Sequence, residues 1–554
     1  MATGAPEVGY APAWSGGARG LNSTPPYRFE RAPMSVQSAQ FDPSAAANLQ
    51  RAAYWNNPAD PQGGHHHGPD ATGSDAPAPP SIDVDGGDSL PDRPDTVEQQ
   101  AVAVDGTATN SGERTTRSTP DGKPILVDPL HRDGQVEIAR ERTNAGGYVS
   151  SDQLVFTTGS RDDAIGVKQR DDGTLDVNVN GESYEVRLGQ GQELTLRAGA
   201  GDDVIEVAPN VTVNIVVEGG DGNDTITTGA GDDRIDGGAG DDVIFSGAGR
   251  DDIFGNSGND VITGGDGVNI IHGGDGNDEI TAGSGTNFIE GGAGDDLIRG
   301  GGTSDILSGG VGNDRIVVGD GASRVYAGAG DDAIENAGDR AVVYAEVGDL
   351  VSAAANARPT VVNVAIDASL GSTIRVEGSE AFVQRIQSEL DFLRASPVGH
   401  QMLAEFDKAA EAKGNTVTIK ELANEQNGYA QTFSRDADIR NGRAGAGGDV
   451  DISYNPSFHM DAFPAPVVVL YHEMSHAYNG VNGTFQPGTY VGQGPDSGRV
   501  PNAERQAVGL ETSAAPFDFD GDPSTPATTT NPDHLTENGF REELGLPDRP
   551  SYAL

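Results

Sequence analysis

Gly219-Gly220-Asp221-Gly222-Asn223-Asp224-Thr225-Ile226-Thr227 is the first of thirteen nine-residue units that run to Glu335 without one slipped register. The pattern is G-G-x-G-x-D-x-U-x, with U a large aliphatic, and it is equally clean at residues 237–245 and 291–299. An aliphatic residue fills the eighth position of all thirteen units, from Ile226 to Ile334, which a solvated Gly/Asp linker would not need. This period predicts a solenoid of short parallel strands in which each unit buries its aliphatic side chain against its neighbours. The glycines permit turns that a Cβ would obstruct. The segment holds 20 Asp and 3 Glu against 5 Arg, a formal charge of −18, so it repels itself until a cation neutralises it.

These units resemble the parallel β-roll of RTX proteins, and the resemblance implies calcium as that cation, with each sixth-position Asp facing an ion. Turns alternate between the two sides of such a roll. Odd-numbered units supply Asp224, Asp242, Asp260, Asp278, Asp296, Asp314 and Asp332, so one side keeps every ligand. Even-numbered units supply Asp233, Asp251 and Asp305, while Asn269, Asn287 and Ser323 occupy the other three places. One nearly complete calcium stack and one broken stack are expected, with folding coupled to the metal.

The whole chain, at 554 residues and 35% hydrophobic, has room for three or four domains but too little apolar content for all of it to be globular. Residues 1–123 are rich in Pro, Gly, Ala and Ser without sustained periodicity and read as a disordered N-terminal region. Their first sixty positions balance four Arg against four acidic residues, as a type III secretion leader does, and no apolar signal-peptide core is present in the first thirty. His65-His66-His67 reads as part of a solvated loop. Residues 124–217 form a strand-rich lead-in, with runs at 154–157, 175–179 and 184–188, an isolated repeat copy at 199–205, and a cap expected at 211–217. The roll spans 218–337 and a C-terminal α+β domain spans 338–554. Cysteine is absent, which excludes disulfides and thiolate metal sites. A net charge of −49 argues against nucleic acid or anionic lipid as partners, and no segment is long enough to span a membrane.

In the C-terminal domain, Ser379 precedes Phe382, Val383, Ile386, Leu390 and Leu393 at helical spacing. A second helix is expected at 397–412 and strands at 416–420 and 449–454. An apolar run, residues 467–471, then leads into His472-Glu473-Met474-Ser475-His476. On a helix, His472 and His476 share one face and can reach a single zinc, and Glu473 stands beside them as a general base. Residues 479 and 482 are both Asn, so the third ligand is not a histidine of the HExxHxxGxxH pattern. Glu504, on the helix-like stretch 501–510 and 28 residues past His476, is the leading third ligand; Glu511, His534 and Glu537 are the alternatives. Arg549 and Tyr552, in the tail, are either oxyanion donors or packing residues. Asp518-Phe519-Asp520-Gly521-Asp522 starts like an EF-hand loop, but Pro523 follows and Thr529 stands at position twelve, so a plain turn is expected.

The last two hundred or so residues resemble the peptidase M91 family of bacterial effector metalloproteases, through HEMSHAYNG at 472–480, ERQAVGL at 504–510 and TENGFREELGLPDRPSY at 536–552. The resemblance implies a zinc endopeptidase, zincin-like in fold, secreted and delivered into the cytoplasm of a host cell, with host proteins such as signalling kinases as substrates. It further implies Glu504 as zinc ligand and an Arg-x-x-Tyr element at Arg549 and Tyr552. The roll departs from that family's compact form and is expected to aid folding, export or presentation. A calcium-dependent surface or adhesion protein carrying a vestigial protease is the other reading; the intact HExxH favours the enzyme.

Overall fold

A computed structural model describes residues 101–145, 148–319, 321–422, 428–432, 434–457, 465–519, 521 and 524–552. The leader, the histidine run, Asp520 and Asp522 lie outside them. The described residues from 102 to 552 belong to one compact unit.

The eighth-position aliphatics determine the roll. Ile226, Ile244, Ile262, Ile280, Ile298, Ile316 and Ile334 descend through one sheet, and Ile235, Ile253, Ile271, Ile289, Leu307 and Val325 through the other; each is fully buried. Parallel registers such as Ile226 with Ile244 and Ile235 with Ile253 superpose the units rung on rung. At ~1.5–3 kcal/mol for a fully buried aliphatic, the column is the main apolar driving force of the roll. Close stacking requires the glycines: Gly220 has φ +116°, and a Cβ there would lie 1.8 Å from the Gly199 carbonyl oxygen. Odd-numbered units contribute to a 13-stranded sheet and even-numbered units to a 14-stranded one.

Both sheets extend beyond the repeats. Strands at Val102–Asp105 and Thr115–Ser118 lie within the stretch read as disordered, and Val342–Ala345, Leu350–Ala353 and Thr360–Asn363 continue the solenoid past residue 337. The cap is not at 211–217, because Ile215–Asp221 is an ordinary parallel rung between Glu193–Ala200 and Arg234–Ala239. Antiparallel meanders do the capping instead, through Pro124–Arg132, Glu137–Ala145 and Tyr148–Thr157 on one sheet and Ala164–Gln169, Leu175–Val179 and Glu182–Arg187 on the other.

The C-terminal domain begins with helix α1 (Glu380–Ala395), where Ser379 accepts a hydrogen bond from the Phe382 amide as the expected N-cap. Helix α2 (Pro397–Lys413) ends at the left-handed Gly414. Strands Arg375–Glu377, Val417–Glu421, Val450–Tyr454 and Gly428–Thr432 form a sheet in that spatial order, the last antiparallel to its neighbour. Helix α3 (Pro466–Asn482) lies against that antiparallel edge and is buried along nearly all its length. Helices α4 (Asn502–Val508) and α5 (Glu537–Glu543) pack on α3. No helix among the described residues is long and apolar enough to cross a membrane.

A roll serving as a free spacer would keep both outer faces in water, and this one does not. Ile270, Phe288, Ile306, Tyr326 and Tyr344, on the outer face of the 14-stranded sheet, share a core with Phe392, Leu393 and Phe540 of the C-terminal domain. Arg385 of α1 is buried over the Phe254 ring, 4.0 Å from its centroid, and Gln384 donates to the Asn256 carbonyl at 2.8 Å.

Candidate metal centres

On the odd-numbered side of the roll each sixth-position Asp uses one carboxylate oxygen to accept the backbone N–H of the Asp one full turn earlier. The bonds from Asp224 to Asp242, Asp242 to Asp260 and Asp260 to Asp278 are 2.7–2.8 Å. The other oxygen, Oδ2, is buried without a hydrogen-bond partner in Asp224, Asp242, Asp260, Asp278, Asp296, Asp314 and Asp332. Repeated orphaned carboxylate oxygens in one column suit a hard cation with oxygen ligands. Burial, with the neighbouring aspartates, pushes Asp242, Asp278, Asp314 and Asp332 up to about 7 and Asp296 to about 9.

The column is longer than the repeats. Asp203 accepts from the Asp163 amide at 2.6 Å, donates its own amide to Asp224 at 2.8 Å, and leaves its Oδ2 orphaned like the others. Both ends are closed by ordinary hydrogen bonds: Asn180 donates to Asp163 at 2.6 Å, and the Glu346 amide donates to Asp349, which itself accepts from Asp332. The isolated copy at 199–205 marked Asp203. Asp163 and Asp349 are off the nine-residue period: Asp163 stands 40 residues before Asp203, and Asp349 follows Asp332 by 17 where the repeats step by 18.

The even-numbered side fills its gaps with protein donors. Asn269 Nδ2 donates to the Gly264 carbonyl at 2.6 Å, and Asn287 Nδ2 to the Gly285 carbonyl at 3.2 Å, where the other column has only carboxylate oxygens. Asp305 Oδ2 accepts the Gly301 amide at 2.9 Å, and the Ser323 hydroxyl accepts from the Asp305 amide at 3.2 Å. On this side only Asp233 and Asp251, of the ten aspartates predicted to bind calcium, retain orphaned Oδ2 atoms.

The second centre is built on α3. His472 and His476, four residues apart, meet Glu504 of α4, and one ligand atom from each of the three lies within 4.8 Å of the others. His476 Nε2 is 3.1 Å and His472 Nε2 3.5 Å from the same Glu504 carboxylate oxygen. All three residues are buried, and His472 Nε2 has no hydrogen-bond partner, so two imidazoles and a carboxylate converge as zinc requires. Burial alone would raise the Glu504 pKa, but the facing imidazoles outweigh it and hold the carboxyl well below its usual range. Burial opposes charge on His472 as well, yet the Glu504 carboxylate facing it at 3.5 Å and its hydrogen bond to Glu537 push it up to about 9. Glu473 is also buried, beside Gly428 on the sheet edge.

The residues weighed as alternative ligands have other work. Glu537 is wholly buried in α5 and receives His472 Nδ1 at 2.8 Å, which turns Nε2 toward Glu504. Arg549 donates to the same Glu537 oxygen at 2.8 Å and to the Tyr552 carbonyl at 3.0 Å. Its guanidinium therefore orients the second layer around the histidine. Tyr552 stays close, its ring centroid 6.2 Å from that of His472. The Glu511 and His534 carbonyls accept from Arg505 and Tyr471, and neither side chain joins the ligand group. Gln506, two residues past Glu504 on α4 and given no role from the sequence, is fully buried and donates to Asn479, Asn531 and the Thr484 carbonyl, fastening α4 to α3. A lone Gln carries no sequence signal for such a role.

Residues 371–552 match the family model Peptidase_M91, described as an effector protein. Five overlapping stretches between residues 218 and 340 match the RTX calcium-binding nonapeptide repeat. No curated protein and no solved structure matches the chain. The chain thus combines RTX calcium-binding repeats with a C-terminal region similar to the M91 family of effector peptidases.

Proposed function

We propose that this protein is a secreted zinc metalloendopeptidase effector that hydrolyses peptide bonds in host proteins and carries a calcium-loaded roll as part of its architecture. The observation that carries this reading is the buried convergence of His472, His476 and Glu504, with Glu537 fixing the His472 ring from behind. Zinc held there would supply Lewis acidity and lower the pKa of a water molecule. Glu473 takes the proton of the attacking water and returns it to the leaving amine, which its burial one residue from His472 suits. In this reading Tyr552 donates to the developing oxyanion, which its ring lying 6.2 Å from that of His472 supports, with Arg549 holding its backbone.

The resemblance to effector peptidases supports delivery into a host cell and a host protein substrate, signalling kinases among them. Extracellular calcium modules fill at roughly 10⁻⁴ to 10⁻³ M, so the roll would load outside the producing cell. New protein N-termini in a eukaryotic lysate, with Glu473→Ala as the blank, test the assignment. Discrete cleavages that need Glu473 support it; none, with zinc bound, would favour a calcium-dependent surface protein with a vestigial protease.

A further inference from the structure

Glu543 ties the roll by hydrogen bonds to the helix that supports the metal-site histidine. Arg324 Nε, on the outer face of the roll, donates to the Glu543 carbonyl at 3.0 Å, and the Tyr326 hydroxyl donates to its carboxylate at 3.1 Å. The same carboxylate accepts the Ser396 hydroxyl at 2.6 Å and the Val398 amide at 2.9 Å, at the junction of α1 and α2. Glu543 is the last residue of α5, and Glu537, which holds the His472 ring, is the first. Between them Phe540 stacks on Tyr471 with centroids 4.3 Å apart, immediately before His472 in α3.

Glu537 ties the N-terminal end of this seven-residue helix to His472 and Arg549, which by itself leaves the C-terminal end free to swing. Directional hydrogen bonds at its C-terminal end remove that freedom, and leaving such buried groups unpaired is costly. Along the chain, the Arg324–Tyr326 strand lies between the segments that carry Asp314 and Asp332, whose Oδ2 atoms are orphaned, and it pairs in its own sheet with Ile306–Val311 and Val342–Ala345. Without a folded roll, the Arg324 and Tyr326 donors are not in place and Glu543 keeps only Ser396 and Val398.

We propose that Glu543 is a positioning residue through which the roll sets the zinc site: Arg324 and Tyr326 hold the end of α5, α5 holds Glu537, and Glu537 holds the His472 ring, so the site binds its metal more tightly once calcium has folded the roll. This rests on the reading of His472, His476 and Glu504 as a zinc site.

The test is cobalt(II) binding to the full chain, followed by visible absorption with and without millimolar calcium, with His472→Ala as the blank. Calcium is expected to tighten cobalt binding by about fivefold or more, the usual range for coupled sites. Arg324→Ala combined with Tyr326→Phe, in calcium, is expected to bind cobalt about tenfold more weakly, as loss of outer-layer support does, with a changed absorption band and an unchanged calcium-induced circular dichroism of the roll. If the double variant's roll does not fold with calcium, Tyr326→Phe alone is the variant read, because it keeps the ring that packs on Tyr344 and Phe392. Equal affinity and spectrum with and without calcium, or a folded variant indistinguishable from wild type, would overturn the proposal. Unchanged cobalt binding in His472→Ala would instead overturn the zinc site itself.

Discussion

The two sides of the roll are made from the same nine-residue unit and have diverged in opposite ways. The 13-stranded sheet shows water residues such as Thr225, Phe245 and Val261, and the turns that enter it keep an acidic ligand at every rung. The 14-stranded sheet presents Ile270, Phe288, Ile306 and Tyr326 to the peptidase domain, and the turns that enter it hold Asn269, Asn287 and Ser323. Where a protein domain covers the sheet, amide and hydroxyl hydrogen bonds stand in for the ion. Where water covers it, orphaned carboxylates remain in a column. The long column of orphaned carboxylates and the docked domain thus lie on opposite sides of one solenoid.

Calcium removal at neutral pH should give the largest effect, a loss of most of the roll's β signal in circular dichroism; full retention would break the comparison at its root. The same experiment has a pH arm. An unfolded Asp titrates near 4, whereas Asp242, Asp278, Asp314 and Asp332 are pushed up to about 7 in the calcium-free fold. The folded state therefore binds more protons between these values, and calcium-free stability should fall as pH rises from about 4 to 7, with Asp296 extending the loss to about 9. Thermal melts of calcium-free protein from pH 4 to 9 check the sign, and greater stability at the alkaline end would refute it.

The outer faces are separated by a pair of aromatic truncations. Phe288→Ala, on the docked face, should cost about 3–5 kcal/mol in chemical denaturation, and Phe245→Ala, on the wet face, within about 0.5 kcal/mol. Similar costs at the two positions would mean that the peptidase domain does not rest on the roll. The columns are compared at one rung each. Asn269→Asp places an unpaired carboxylate where an amide now donates to Gly264, and should destabilise the calcium-free protein by about 1–3 kcal/mol. Partial rescue of that variant by calcium would show that the broken side can be restored. The smallest expected change is in stoichiometry: Asp203→Asn should lower bound calcium, counted by native mass spectrometry, while the thirteen repeats stay folded. An unchanged count would confine the column to the repeats.

Much of this was legible in the residues because the informative signals are local and periodic. The nine-residue unit states its own register, alternation assigns each Asp to a side, and HExxH places two histidines on one helical face before any fold is known. Glu504 could be named as a third ligand, but the roles of Glu537 and Arg549 could not. A carboxylate that orients a histidine and one that binds metal have the same chemistry, and the choice depends on which helix end faces which ring nitrogen. Boundaries were hidden for a related reason: Glu193–Ala200 pairs 21 residues before its partner strand and Leu350–Ala353 17 residues after its own, off the 18-residue turn of the repeats.

The sequence by itself determined that a roll exists, which aspartates line it, and that a zinc-type histidine pair follows, since spacing along the chain suffices for each. Only the tertiary structure decided that the roll's outer sheet is part of the peptidase core, because Phe288 or Tyr326 at an outward position is equally compatible with solvent or with a partner. The tie from Tyr326 to Glu543 spans 217 residues. Contacts at that separation are set by how two domains pack, and no periodicity along the chain records them.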